Sequence, residues 1–230
     1  MRRLTGVQVL SIWESGLGQH PLDRALTMLM FSGRSRAELA RLSMGSRDAM
    51  LCEVRRRLFG DRLAGYSECV RCAAPVEFTV AASELPVAAG PGSDEIFPSS
   101  TGAAFRLPNS LDLASILRTG DAGAARRELL ERCVQSAETM DDAGLEQVSR
   151  EMAERDPGGC IEMRLACPAC QSAWTAAFDM ASFFWMELNV YAKRLLAEVD
   201  TLARAYGWSE QAILDLSPVR RRLYLEMVGA

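Results

Sequence analysis

The sequence is poor in several things that chemistry usually needs. It has one histidine, His20 beside Pro21, outside any HExxH or triad spacing, so metalloprotease and serine or cysteine hydrolase arrangements find no base here. It reads as the start of a helix instead. Gly16-Leu17-Gly18 lacks the preceding strand and the lysine of a phosphate-binding loop. The carboxylates of Asp94-Glu95 and Asp141-Asp142 fall in loops and read as solvated. These absences leave no active-site constellation and no small-molecule substrate to propose.

Other absences bound the class. No stretch offers the roughly twenty consecutive apolar residues of a membrane span. Met1-Arg2-Arg3 begins basic but is not followed by an apolar run and a small-residue cleavage site, so a cytoplasmic location is expected. The formal net charge is −4, which removes a bulk basic surface for nucleic acid. The runs Arg55-Arg56-Arg57 and Arg220-Arg221-Arg222 could touch phosphates, but consecutive helical residues fan across different faces. A nucleic-acid binder therefore stays an alternative only. No tandem repeat occurs.

What is present is cysteine in a particular pattern. Of the seven cysteines, four form two pairs, Cys69-Val-Arg-Cys72 and Cys167-Pro-Ala-Cys170. Each pair is followed by an alternating stretch, Val76, Phe78 and Val80 after the first and Trp174, Ala176 and Phe178 after the second. Two residues between cysteines let both thiolates face one tetrahedral cation, and two pairs complete a four-sulfur structural zinc site at Cys69, Cys72, Cys167 and Cys170. A competing reading is a thioredoxin-type dithiol oxidoreductase at Cys167-Pro-Ala-Cys170. That chemistry wants a helix directly after the motif, whereas the residues here alternate as a strand. Zinc knuckles commonly carry glycine after the second cysteine, where the backbone turns left-handed. This chain has Ala73 and Gln171 there, at a cost of about 1 kcal/mol each, against roughly 10 kcal/mol or more from zinc ligation in small peptides. Cys52 and Cys133 sit in helical patterns and read as core thiols.

Around the pairs the periodicity is mainly helical. Helices are expected over 4–14, from His20-Pro21 to Gly33, from a Ser35/Glu38 capping box to Leu42, and from Ser46 to Phe59-Gly60, leading straight into the first pair. The stretch 86–102 reads as a loop and 104–107 as a short strand. Helices follow after Asn109 or Ser110, over 122–138 and over 142–154. Ile161, Met163 and Leu165 alternate into the second pair. Asp179 is the expected cap of the longest helix, 180–206, with short helices after Ser209 and Ser217-Pro218. Phe183, Phe184, Trp185 and Met186 at its start are more apolar bulk than one helix face holds, and read as core in preference to a partner surface.

The fold class is thus α+β, mainly α-helical. It comprises an N-terminal bundle (1–66), two halves of a zinc ribbon (67–85 and 160–180), a loop plus helical insertion (86–159) and C-terminal helices (181–230), with the metal joining the halves.

At the C-terminus, Asp179-Met-Ala-Ser-Phe-Phe-Trp185, Leu202-Ala-Arg-Ala-Tyr-Gly-Trp-Ser-Glu210, Ile213-Leu-Asp-Leu-Ser-Pro218 and Arg221-Arg-Leu-Tyr-Leu-Glu226 carry a resemblance. So do Leu10-Ser-Ile-Trp-Glu14, Pro21-Leu-Asp-Arg-Ala-Leu26 and Gly45-Ser-Arg-Asp48. The chain resembles baseplate or baseplate-assembly proteins of contractile phages and extracellular contractile injection systems, over most of its length outside about 86–158. The resemblance implies a non-enzymatic component that binds other baseplate or tail proteins, and brings no catalytic residues with it.

Overall fold

The computed structural model describes residues 4–87, 94–135 and 140–229. Its first helices begin where short side chains can satisfy the free N–H groups of a helix start. Helix α1 (Gly6–Gly16) has a reciprocal box between Thr5 and Gln8. Helix α2 (Pro21–Met28) takes proline in its first turn, and His20 Nδ1 accepts the Leu22 N–H at 3.3 Å, so the single histidine is a cap. Helix α3 (Arg36–Ala40) uses the expected Ser35/Glu38 box. Helix α4 (Met44–Phe59) starts earlier than the pattern suggests: Ser43 is the cap and accepts from the Ser46 N–H. A tertiary contact decides between the two serines, because the Met44 N–H donates to the Pro108 carbonyl at 3.1 Å.

After Gly60 the chain enters the first cysteine pair through a strand, where the sequence pattern has the helical bundle leading straight in. Strand β1 (Arg62–Glu68) pairs antiparallel with β2 (Pro75–Ala81), Leu63 opposite Val80 and Gly65 opposite Phe78. The Phe78 ring fills the place above Gly65, where an added Cβ would come within 2.7 Å of it.

The insertion has a core of its own. Strands β3 (Ile96–Pro98) and β4 (Ala104–Arg106) precede helices α5 (Ser110–Ile116) and α6 (Ala122–Cys133), and β5 (Val134–Gln135) completes a three-stranded antiparallel sheet. Asn109, not Ser110, caps α5. Two expectations change here. A strand lies within the predicted loop 86–102, and the helix predicted to 138 ends at Cys133, because Val134 pairs with Phe105 of β4. Residues 136–138 of that expectation lie outside the described residues. Helix α7 (Asp142–Arg155) closes the unit over Phe97, Phe105, Leu107, Leu130, Leu145 and Val148. It docks on the start of α4 by polar contacts: the Asp156 carboxylate accepts the Gly45 N–H at 2.8 Å, a favoured place for negative charge at a helix N-terminus.

Strands β6 (Ile161–Ala166) and β7 (Ala173–Phe178) form the second hairpin. Asp179 then caps α8 (Met180–Tyr206) as expected, and α9 (Glu210–Leu214) and α10 (Pro218–Met227) follow. Helix α8 joins the N-terminal helices in one continuous core that includes Leu10, Leu26, Leu29, Leu51, Phe184 and Leu188. Burial of each such side chain contributes about 1.5–3 kcal/mol. The two ends of the chain therefore share a hydrophobic core besides facing each other at the cysteine tips. Of the aromatic cluster opening α8, Phe183 and Phe184 are buried in it, while Met186 is exposed.

The arginine runs fan out as helical geometry requires. Arg55 is buried, and its guanidinium holds Glu187 through two bonds of 2.7 and 2.6 Å and the carbonyls of Gly60 and Arg62 at 2.7 Å each. Arg221 is buried against Glu198 at 2.6 Å. Arg56 and Arg57 pair at the surface with Asp61 and Glu53.

Replacing Arg55 by alanine frees two carbonyls and the Glu187 carboxylate, and we expect about 3–5 kcal/mol lost in urea unfolding. Gly45→Ala forces a Cβ within 1.9 Å of Asp156 Oδ1 and should cost about 1–3 kcal/mol. Gly18→Ala, with open space around it, is the neutral comparison in the same assay.

Candidate metal centre

The two cysteine motifs sit at the tips of two hairpins, β1–β2 and β6–β7, in separate two-stranded sheets. Their backbones repeat one plan. The Cys69 N–H donates to the Ala74 carbonyl and the Ala73 N–H to the Cys69 carbonyl, both at 2.9 Å. In the second tip the Cys167 N–H donates to Ser172 at 2.8 Å and the Gln171 N–H to Cys167 at 3.0 Å. Each tip turns left-handed after its second cysteine, at Ala73 (φ 57°) and Gln171 (φ 60°), the non-glycine residues with positive φ among those described. That conformation is the one expected where a knuckle ordinarily has glycine.

The hairpins bring the tips face to face. Cys69 Sγ lies 3.6 Å from Cys170 Sγ, and Cys72 Sγ lies 3.7 Å from Cys167 Sγ. All four sulfurs fall within 4.8 Å of one another. A tetrahedral metal with thiolate bonds of about 2.3 Å needs sulfur–sulfur edges of about 3.8 Å. The four cysteines thus fit a single metal ion, and none of them is in a disulfide. Cys69 and Cys167 are buried against Val76, with Trp174 and Ala74 beside them, while Cys72 is exposed.

The electrostatics of the thiols point the same way. The N–H groups of Arg71 and Cys72, directed at Cys69 Sγ, bring this thiol down to about 6. The Ser172 N–H draws Cys170 down, but desolvation and the hydrogen bonds with the Cys72, Cys69 and Cys167 sulfurs outweigh it and push it up to about 12. Four like charges at these distances cannot all form unaided, so the protons leave in separated steps. A divalent cation at the centre removes that repulsion.

The N–H groups that orient the sulfurs belong to Arg71, Cys72, Ala74 and Ser172. Nothing in their side chains marks them, because backbone serves the role. The spacing of the knuckle was the signal available. The remaining cysteines stand apart: Cys52 and Cys133 are buried in the two hydrophobic cores, where burial raises both thiols, Cys133 to about 12, and Cys160 is exposed elsewhere. A thioredoxin-like dithiol would need a helix after Cys170, and the chain enters β7 there instead.

Among the described residues no helix is long and apolar enough to cross a membrane. Comparison with protein-family models, curated proteins and solved structures gives no match.

Cobalt(II) titration of the metal-depleted protein should show one tetrahedral tetrathiolate site per chain, and Cys69→Ser or Cys170→Ser should abolish its charge-transfer absorption. Because the helical core is continuous, those variants should keep most of their far-ultraviolet circular dichroism while unfolding earlier in urea. Lowering the pH should release the metal as protons compete for the sulfurs. Ala73→Gly and Gln171→Gly should each raise stability by about 1 kcal/mol, and a drop in either would refute the strain argument.

Proposed function

We propose that this protein is a zinc-clipped, non-enzymatic component of the baseplate of a contractile, phage-tail-like particle, acting by binding other baseplate or tail proteins. Zinc is the inferred ion because four sulfurs on two short-spaced pairs are its characteristic structural donor set. Four protein ligands leave no open position for water or substrate, so the ion's role is to hold two hairpins together, in the manner of a zinc ribbon with a helical insertion.

The observation that carries the reading is the likeness of the C-terminal motifs to baseplate proteins, and the position of those residues supports a framework role for them. Asp179 caps α8, its carboxylate accepting from the Ser182 N–H and hydroxyl. Trp208 stacks on Tyr206 with centroids 4.6 Å apart and meets Tyr224 edge-on at 4.9 Å, fastening α10 to the end of α8. Arg221 reaches back to Glu198. Gly45 is the close-approach point for Asp156. The motif residues keep the helices in fixed relation, as a scaffold requires.

A nucleic-acid role is weakened, since Arg55 and Arg221 are engaged internally and Arg56 and Arg57 pair with Asp61 and Glu53. Assembly in the cytoplasm and incorporation into the particle complete the proposal.

Co-expression of the tagged protein with the tube, sheath and baseplate proteins of a contractile particle should give stoichiometric co-purification with at least one of them. Absence of association with every tail component would refute the proposal, as would salt-sensitive binding to DNA or RNA in its place.

A further inference from the structure

One face of the molecule is built to receive an extended chain. Between β1 and α8 runs a groove of about 830 Å³. Its walls carry Tyr66 on one side and Met186 and Val190 on the other, exposed by 73%, 59% and 69%. Apolar side chains this open and this close together are uncommon on a protein that has no partner.

Part of the main chain along the groove is also unmet among the described residues. The Asp61 carbonyl accepts from Ala82 and the Cys69 N–H donates to Ala74. With the continuous register between them, the odd-numbered residues of β1 face β2 and the even-numbered ones face outward. Arg62 has its outward carbonyl taken by Arg55. Ala64 and Tyr66 have no strand beyond them among the described residues, because the sheet ends at β1. A free edge beside an apolar groove is the arrangement used for strand addition, in which backbone bonds give affinity and alternate side chains fill the groove.

Charge decides the occupant. Of the charged groups on the rim, Glu187 is neutralised by its two bonds to buried Arg55. Arg62 is exposed and has no acidic partner among the described residues, and Arg194 is 66% exposed with Glu198 only at 3.4 Å. Among the residues lining the groove the unbalanced charge is positive. A second copy of β1 is a poor occupant, since it would bring another Arg62 to this rim and meet the Arg55 cap at the end of the edge.

We propose that the groove binds an extended, acidic segment of a partner protein, which adds as a strand to Ala64 and Tyr66 and sets apolar side chains between Tyr66, Met186 and Val190. The inference rests on the scaffold reading only in taking the partner to be a protein.

The test uses the full metal-loaded protein and a short fluorescent peptide of alternating valine and threonine with an aspartate at each end. Binding should slow hydrogen exchange at the Ala64 and Tyr66 amides. Arg62→Glu combined with Arg194→Glu should weaken it about tenfold, and so should lysine in place of the terminal aspartates. Methylation of the peptide's central amide should abolish it. Metal content unchanged in the variants certifies their folding. No binding at millimolar peptide, binding that leaves those two amides unprotected, or indifference to charge reversal would each overturn the proposal. Self-association that protects the same amides without peptide would overturn it in favour of a second copy. Failure here alongside intact co-purification with tail proteins sinks the groove and not the scaffold; peptide binding without that co-purification does the reverse.

Discussion

One buried guanidinium ties the metal-binding hairpins to the helical core. Arg55, near the end of α4, holds Glu187 on α8 and the two carbonyls that flank the entry to β1. It fixes at one point the helix before the first hairpin, the helix after the second, and the strand between α4 and the first knuckle. With α4 and α8 packed in a shared core, the two hairpins leave it side by side, and their tips have little choice but to meet. The pair is costly to desolvate and more costly to break, since either partner alone would leave charge without compensation. Its use here is positional.

A metal at the four cysteines would then complete what packing begins. Isolated two-stranded hairpins are marginally stable in water, and the apolar group at the tips is small, chiefly Val76 and Trp174 around the sulfurs. The sulfurs that meet are 101 and 95 residues apart in sequence. A covalent link across a loop of that length removes on the order of 4–5 kcal/mol of entropy from the unfolded chain, and a metal bridge acts on the same loop. Loop closure grows only slowly with length, so a whole unit with its own core, 94–155, sits between the knuckles without forbidding their closure. Its ends return through Asp156 to the same α4 that launches β1.

The parts of this architecture that could be read in the sequence are those set by local chemistry. The thiol spacing, the left-handed turns at Ala73 and Gln171, and the caps at Ser35 and Asp179 depend on neighbours a few residues away. Strand β1 was hidden because Gly65 and Ser67 occupy its inward positions, and its one strong signal is Leu63; the apolar surface over Gly65 comes from Phe78 across the ladder. The end of α6 was hidden because Val134 continues a helical apolar pattern, while pairing with Phe105 pulls it into a sheet. No local rule separates Arg55 from Arg56 and Arg57, since its partner is 132 residues on. Tertiary contacts decide each of these cases, and helical or strand propensity only permits the outcome.

The same geometry links the metal to the proposed docking groove. Tyr66 stands on the hairpin whose tip carries Cys69 and Cys72, and Met186 and Val190 stand on α8. One wall belongs to the helical core, whose packing includes none of the four sulfurs. The other belongs to a hairpin fastened at its base by Arg55 and at its tip by the sulfurs. Loss of the ion would leave that wall held at one end only, and a two-stranded ribbon so held can swing and twist. An extended ligand bridging both walls would then have to order the hairpin as it binds, at a cost in conformational entropy of about 1–2 kcal/mol for each residue so fixed. In the proposed docking, the four sulfurs would act through preorganisation, holding the width of the groove before a partner arrives.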